Sequence, residues 1–362
     1  MPQLGPWSGM GSRVQSVYVN GAAVTTTWAD ARFSLTDLIF DCVQKALVDA
    51  DIRAADLDAV VLGAHDLVDG RGLTSMVTSP AAAAYLKDET RLGDDGASAF
   101  ILGDARVRSG SVGTCLVAAW GRASEGPVDR VSNALFDPFT TRPLGMTEIG
   151  VSGLRATQAI AAYPSYRDER QRAASARHEP PSDPARVPSP AWPLRAGELP
   201  VWADIVAAVV VSSTSSPVEV RGMGMSTEPF DIGDRDLLEL PALRQASAQA
   251  LRAAELSIED IQVLELDGLT LFDDALAVEA VGAAGRGDGM RALASGRGVN
   301  TSGGSSAGYC APAMGLVRIE SAYRRLIGEG AEVALATGSS VVASQNQAAV
   351  VLSHNRTPRR RR

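Results

Sequence analysis

The chain has 362 residues, enough to bury a large core as one big domain or two intimate ones. Its 34 basic and 42 acidic residues leave a net charge of −8, which argues against a nucleic-acid binder, whose footprint is basic. No apolar run is long enough to span a bilayer and no charged-then-apolar signal pattern opens the chain, so the expectation is a soluble, cytoplasmic protein without a membrane partner. Three cysteines (Cys42, Cys115 and Cys310) do not make a disulfide framework, and three histidines (His65, His178 and His354) are too few for a His/Cys metal site to be expected.

Taken in chain order, residues 1–12 read as a loose leader, and a strand is expected over 14–19, followed by a loop. Leu35, Leu38, Ile39, Cys42, Val43, Ala46 and Leu47 recur at helical spacing and predict a helix over 35–50, with Ser34 or Thr36 as its cap. The apolar strand Ala59-Val60-Val61-Leu62 leads into a polar, glycine-containing loop from His65 to Gly72, and a short helix is expected over 81–86. Gly96 opens a helix that ends at Ser109-Gly110 and feeds the strand Cys115-Leu116-Val117-Ala118. Cys42 on its helical face and Cys115 in its strand act as small hydrophobes.

Residues 121–200 differ in character. Phe136-Asp137-Pro138-Phe139 and Arg142-Pro143-Leu144-Gly145 read as ordered turns, and a helix is expected over 147–162. The Arg, Glu, Ala and Pro residues between Tyr166 and Pro200 suggest an insertion lying over the core and partly mobile. A strand over 205–212 closes the first half, spanning 13–235, and 218–221 starts the link to the second, spanning 236–353. That half shows a helix over 237–253, the strand Val263-Leu264-Glu265-Leu266, a helix over 273–281, a glycine-rich segment from Asn300 to Gly315, a helix over 316–327 and strands over 333–336 and 348–352. The basic tail, 354–362, reads as solvated and frayed.

The two halves repeat one plan. Ala46-Leu47-Val48-Asp49-Ala50-Asp51-Ile52 through Asp56-Leu57 matches Ala250-Leu251-Arg252-Ala253-Ala254-Glu255-Leu256 through Asp260-Ile261. Each ends a helix, crosses a short acidic turn and enters an apolar strand. The helix from Gly96 to Ser109-Gly110 is matched by the helix from Gly315 to Glu329-Gly330, and each leads to a strand. Such duplication predicts a pseudo-symmetric α/β molecule with its site between the halves.

Asn300, Gly303 and Gly304, with Gly308 and Gly315 in register after a one-residue gap, give a segment that resembles the Asn-x-x-Gly-Gly and Gly-His-Pro-x-Gly stretch of the thiolase superfamily. Phe136-Asp137-Pro138-Phe139-x-x-Arg142-Pro143-Leu144-Gly145 resembles the sterol-carrier-protein branch. The resemblance implies a thiolase-like α/β fold with an inserted loop domain at about 121–200. It further implies a homodimer or heterodimer, no cofactor of its own, and a coenzyme A thioester as substrate. Asn300, Gly303, Gly304 and Gly308 are the residues expected to shape the thioester site, and Arg71, Arg142 and Lys87 the candidate phosphate contacts.

The departures from that family fall on its chemistry. Its nucleophilic cysteine corresponds to a position at or near Gly93 in Leu92-Gly93-Asp94-Asp95-Gly96, and no thiol is present there. Its Gly-His histidine is Tyr309, and its strand-end histidine is absent from Glu265-Leu266-Asp267-Gly268. Asp94 and Asp95 suit the helix N-terminus as caps, with a general-base role as the sharper alternative. Cys310 is the remaining thiol near the site and is expected to be inert.

Two readings follow. In one, the chain is a silent subunit that keeps the fold while a partner, an active thiolase-like chain or a zinc-ribbon/OB-fold accessory protein, supplies the chemistry. In the other, it resembles the steroid side-chain-cleaving aldolases of the superfamily. These also lack the cysteine and carry a tyrosine six residues before the helix-opening glycine, as Tyr309 stands to Gly315. A retro-aldol step then needs Tyr309 as acid/base with a lowered pKa. Candidate catalytic residues are therefore Tyr309, Cys310, Asp267 and Asp94.

Overall fold

The computed structural model describes residues 15–69, 74–179, 181–296, 298–328, 330–340 and 342–355. The first half comprises β1 (Tyr18–Thr27), α1 (Leu35–Asp49), β2 (Ala59–Gly63), the short helices α2 (Asp66–Asp69) and α3 (Thr74–Thr78), β3 (Asp88–Leu92), α4 (Gly96–Arg108), β4 (Thr114–Arg122) and β5 (Asp204–Ser212). Between β4 and β5 the chain makes an excursion through α5 (Val128–Leu135), α6 (Glu148–Ala162) and α7 (Pro164–Ser175). The second half comprises β6 (Val218–Thr227), α8 (Pro241–Ala254), β7 (Val263–Glu265), α9 (Leu271–Ala280), α10 (Gly289–Ala294), α11 (Gly304–Ala307), α12 (Met314–Gly328), β8 (Val333–Ser339) and β9 (Asn346–His354).

The strands pair in the order β3-β2-β4-β5-β1-β6-β9-β8-β7. Outward from the centre, β1-β5-β4-β2 in one half is repeated as β6-β9-β8-β7 in the other. In each half the innermost pairs are antiparallel and the last is parallel. The counterpart of β3 is reduced to a single parallel bridge between Leu264 and Val299. The duplicated turns also match in detail. Ala54–Asp56 and Ile258–Asp260 are both one-turn 3-10 helices closed by an aspartate that accepts from the cap backbone.

Burial explains the layering. The inward faces of both half-sheets, with Val61, Val117 and Val209 from one and Ala334, Ala336 and Val350 from the other, share a core with Phe100 of α4 and Leu316 and Ile319 of α12. Those two helices form the central layer. The opposite strand faces pack against α1 in the first half and α8 in the second. All seven apolar positions predicted for α1 are buried, and Ser34 with Asp37 forms its capping box.

Several local expectations are corrected. β1 does not stop at residue 19. A register shift between Val19 and Gly21 lets it continue along β5, and a side chain at Gly21 would overlap the α1 backbone at Ala50. The helix expected over 81–86 is a run of turns with Ala83 and Leu86 at positive φ, and the helix lies earlier, at α3. The stretch read as a loop after His65 contains α2. The insertion contains α7, whose Tyr166, Arg170 and Ala173 are buried, with Arg170 bonded to the buried Glu198. The leader, Arg71 and the arginine tail lie outside the described residues.

Candidate active site

The helix starts come first, because they decide what stands where a nucleophile would stand. Asp95 is the N-cap of α4: its Oδ1 accepts from Ala97 N at 2.7 Å, while its Oδ2 accepts from Gly315 N at 2.9 Å. One carboxyl group therefore caps α4 and ties it to the start of α12 in the other half. Gly315 and Gly338 pack so closely on this carboxyl that a Cβ on either would overlap it. Asp94 is half-buried, accepting from Asp95 N at 2.8 Å and from Asn346 Nδ2 at 3.4 Å. Gly93 is exposed, and a Cβ there would meet only the His65 ring at 3.9 Å. The position has room for a side chain and carries none.

The glycine-rich segment is held by the protein's own groups. Asn300 adopts φ 45°, its Oδ1 accepting from Leu266 N at 2.6 Å and its Nδ2 donating to Asp274 Oδ1 at 2.9 Å. Gly303, at φ 103°, has the His178 imidazole packed over it, so a side chain there fails on both backbone and space. Arg177 Nη2 donates to Ser305 Oγ at 2.6 Å. The chain then straightens at Tyr309, whose N–H donates to Val201 O at 2.7 Å and whose carbonyl accepts from Ala203 N at 3.2 Å. The Tyr309 and Trp202 rings lie 6.1 Å apart at 58°.

Tyr309 and Cys310 line a cavity of about 270 Å³ between the halves. Val128, Leu135 and Ile149 of α5 and α6 roof it, with Glu148, Ser152 and Arg155 as the polar groups of α6. Its far wall is the Ser339-Ser340 end of β8 and Ser344. Asp267 sits behind that wall, its Oδ2 accepting from Ser339 N at 3.0 Å and Ser339 Oγ at 2.8 Å while its buried Oδ1 has no hydrogen-bond partner among the described residues. The structure thus places Tyr309 and Cys310 on the cavity wall and Asp267 behind it, bonded to the lining Ser339. Asp94, Asn300, Gly303, Gly304 and Gly308 do not line this cavity. Cys310 Sγ occupies the space a side chain at Gly121 would need. Arg142 bonds the backbone of its own loop at Phe136 O, and Lys87 donates to Leu57 O at 2.6 Å.

The site is rich in carboxyl groups, and burial dominates their titration. Asp95 is raised well above the carboxylate range by burial and then by Asp267, and Asp267 is raised by burial against the pull of Arg318. Burial lifts Asp274 to about 7, opposed by Arg177 and Arg318. Tyr309 is affected likewise. Burial, then Asp267, Glu148, Asp95 and Asp273, holds its phenol well above the usual tyrosine range. The lowered phenol pKa expected from the sequence is thereby overturned: desolvation and nearby negative charge both disfavour a phenolate.

Glu148 went unnoticed in the sequence. It is the first residue of α6, behind the cap Thr147, and its N–H donates to Ser132 Oγ at 2.8 Å, joining α6 to α5. Its Oε1 accepts from Ala343 N at 2.8 Å, and burial lifts its carboxyl to about 8. The Thr147-Glu148 pair reads as an ordinary helix start, so only the packing of α6 over Tyr309 marks it.

Comparison with known proteins agrees with this architecture. Residues 224–355 match the family described as Thiolase C-terminal domain-like. The Ltp2-ChsH2(DUF35) aldolase structure superposes with a TM-score of 0.76 at 17% identity, covering 95% of this chain and 99% of that one. The fold is that of the thiolase superfamily. Human mitochondrial 3-ketoacyl-CoA thiolase superposes at 0.68 with 15% identity over 95% of this chain and 100% of its own. The same enzyme in complex with CoA gives 0.67 at 15% identity, covering 95% and 99%. In sequence, the chain is 24% identical over 341 residues to an acetyl-CoA acetyltransferase of Methanothermobacter thermautotrophicus, covering 82% of this chain and 87% of that relative. No helix among the described residues is long and apolar enough to cross a membrane.

Proposed function

We propose that this thiolase-superfamily chain acts in acyl-CoA metabolism, on lipid or sterol-like thioesters, as a subunit of a hetero-oligomeric complex without thiolytic activity of its own, and that its cavity cleaves a β-hydroxyacyl-CoA by a retro-aldol step. The observation that carries this is a formed cavity with Tyr309 on its wall, in a chain whose sequence has no thiol at or near Gly93, where the resembled family has its nucleophile. A neutral phenol donates a hydrogen bond well. Tyr309 is therefore assigned as the acid that stabilises the oxygen on which negative charge develops, which is the role its raised pKa permits. The similar aldolase pairs Ltp2 with ChsH2, a DUF35 protein. An accessory partner of that kind, of zinc-ribbon/OB-fold type, is proposed here, with a thiolase-like dimer as the core.

A second reading, the silent subunit, is favoured by the joint loss of the thiol at Gly93 and of histidine at Tyr309 and beside Asp267. The two separate on the complex purified from its native cell and assayed for β-hydroxyacyl-CoA cleavage. The lyase reading expects turnover that falls at least about 100-fold in Tyr309→Phe, the weight of positioned acid catalysis. An active thiolase-like partner, with turnover indifferent to Tyr309→Phe, makes this chain the scaffold.

A further inference from the structure

Retro-aldol cleavage also needs a group to take the proton of the β-hydroxyl, and the cavity supplies few. Tyr309 is a donor at neutral pH. The Ser339 and Ser152 hydroxyls donate to Asp267 and Asp273, and the Ser132 and Ser340 hydroxyls accept from the backbone at Glu148 and Asn346. Arg155 is bound to Asp273 at 2.9 Å and to Ala343 O at 3.1 Å. Arg122 is paired with Glu125 and Asp204. Glu148 differs from these. Its Oε1 accepts from Ala343 N, no other hydrogen bond to its carboxyl is formed among the described residues, and it lines the cavity it shares with Tyr309.

Its placement is fixed from both sides. Ala343 and Ser344 form a turn with φ of 51° and 54°, a conformation unusual for residues with side chains. That turn is held by Glu148 on the Ala343 N–H and by Arg155 and Arg235 on the Ala343 carbonyl. The carboxylate is thereby anchored through Oε1 on the cavity wall.

We propose that Glu148 is the general base of this site, taking the β-hydroxyl proton through Oε2 and returning it to the cleaved fragment. This rests on the lyase reading above. The balance is closed. The O–H proton passes to Glu148 as the Cβ–O bond becomes a carbonyl and the Cα–Cβ bond breaks. The bonding pair moves to the thioester enolate, whose oxygen Tyr309 faces as donor. The enolate carbon then takes the proton back from Glu148, giving an acyl-CoA and a ketone or aldehyde with no external oxidant or reductant. A base titrating near the working pH suits this two-way traffic. The groups around Glu148 set it there: burial raises it, the Ala343 N–H, Arg155 and Arg235 oppose, and Asp273 adds to the rise, while Glu125 and Asp129 share the cavity wall.

The test is the pH dependence of cleavage by the whole complex, with Glu148→Gln, which keeps the shape and an acceptor for Ala343 N, and Glu148→Asp beside it. The wild type should rise toward alkaline pH with a midpoint near 8, and Glu148→Gln should lose about 100- to 10,000-fold along with that limb. Glu148→Asp should recover part of both. Deuterium exchange from D2O into the α-carbon of the product acyl-CoA, followed by NMR, should vanish in Glu148→Gln, because the same base serves the return step. Wild-type-like cleavage and exchange in Glu148→Gln, with Tyr309→Phe inactive, overturns the assignment of Glu148 and leaves the lyase standing. A complex that neither cleaves nor exchanges sinks both.

Discussion

Asp95 offers the most direct test of how the two halves are joined. Its carboxyl accepts from Ala97 N and Gly315 N, capping α4 and holding the start of α12 across the pseudo-symmetry axis. Asp95→Ala removes a helix cap, worth about 1 kcal/mol, and strands the buried Gly315 N–H, worth about 1–3 kcal/mol. Against this stands, as a partial offset, the relief of an acid disfavoured by burial and then by Asp267. The expected loss is about 2 kcal/mol. Asp95→Asn keeps the volume and one acceptor oxygen but turns an NH2 donor toward the other backbone N–H, so it loses one of the two bonds and should cost about 1–3 kcal/mol. Urea unfolding by linear extrapolation measures both. An Asp95→Ala protein within about 0.5 kcal/mol of wild type, or an Asn variant as stable as wild type, refutes the reasoning that the twin cap joins the halves.

The raised carboxyls also give the fold a pH signature. A carboxyl whose folded pKa lies above its unfolded value contributes stability that is full below the unfolded pKa and lost as pH rises through the folded one. With Asp274 at about 7 and Glu148 at about 8, the unfolding free energy should fall as pH rises from about 5 to 8, and Glu148→Gln should flatten part of that slope; urea titrations at both ends of the range measure it. The protein alone should show no thiolysis of acetoacetyl-CoA, and robust turnover abolished by Cys310→Ala would restore the cysteine as a nucleophile.

What could be read along the chain was local. The seven buried positions of α1, its Ser34 cap, and the repeated helix–acidic turn–strand units are set by side-chain periodicity and by capping within a few residues. The α/β class and the repeated units were therefore legible before any packing was known, whereas the sequence reading left β6 in the first half and only its ladder to β9 joins it to the second. β3 escaped because Asp88-Glu89-Thr90-Arg91-Leu92 is polar, a strand made by its ladder to β2 rather than by an apolar pattern. The candidate catalytic set divides the same way. Tyr309 became a candidate through the resemblance, by its place six residues before Gly315. Glu148 was not legible, because neither its place on the cavity wall it shares with Tyr309 nor its shift exists until α6 folds onto the cavity and Ala343, far along the chain, offers its N–H. The sign of the Tyr309 shift was likewise a tertiary matter. The resemblance names the residue, but the field it feels comes from Asp267, Glu148, Asp95 and Asp273, which only the assembled halves bring around it.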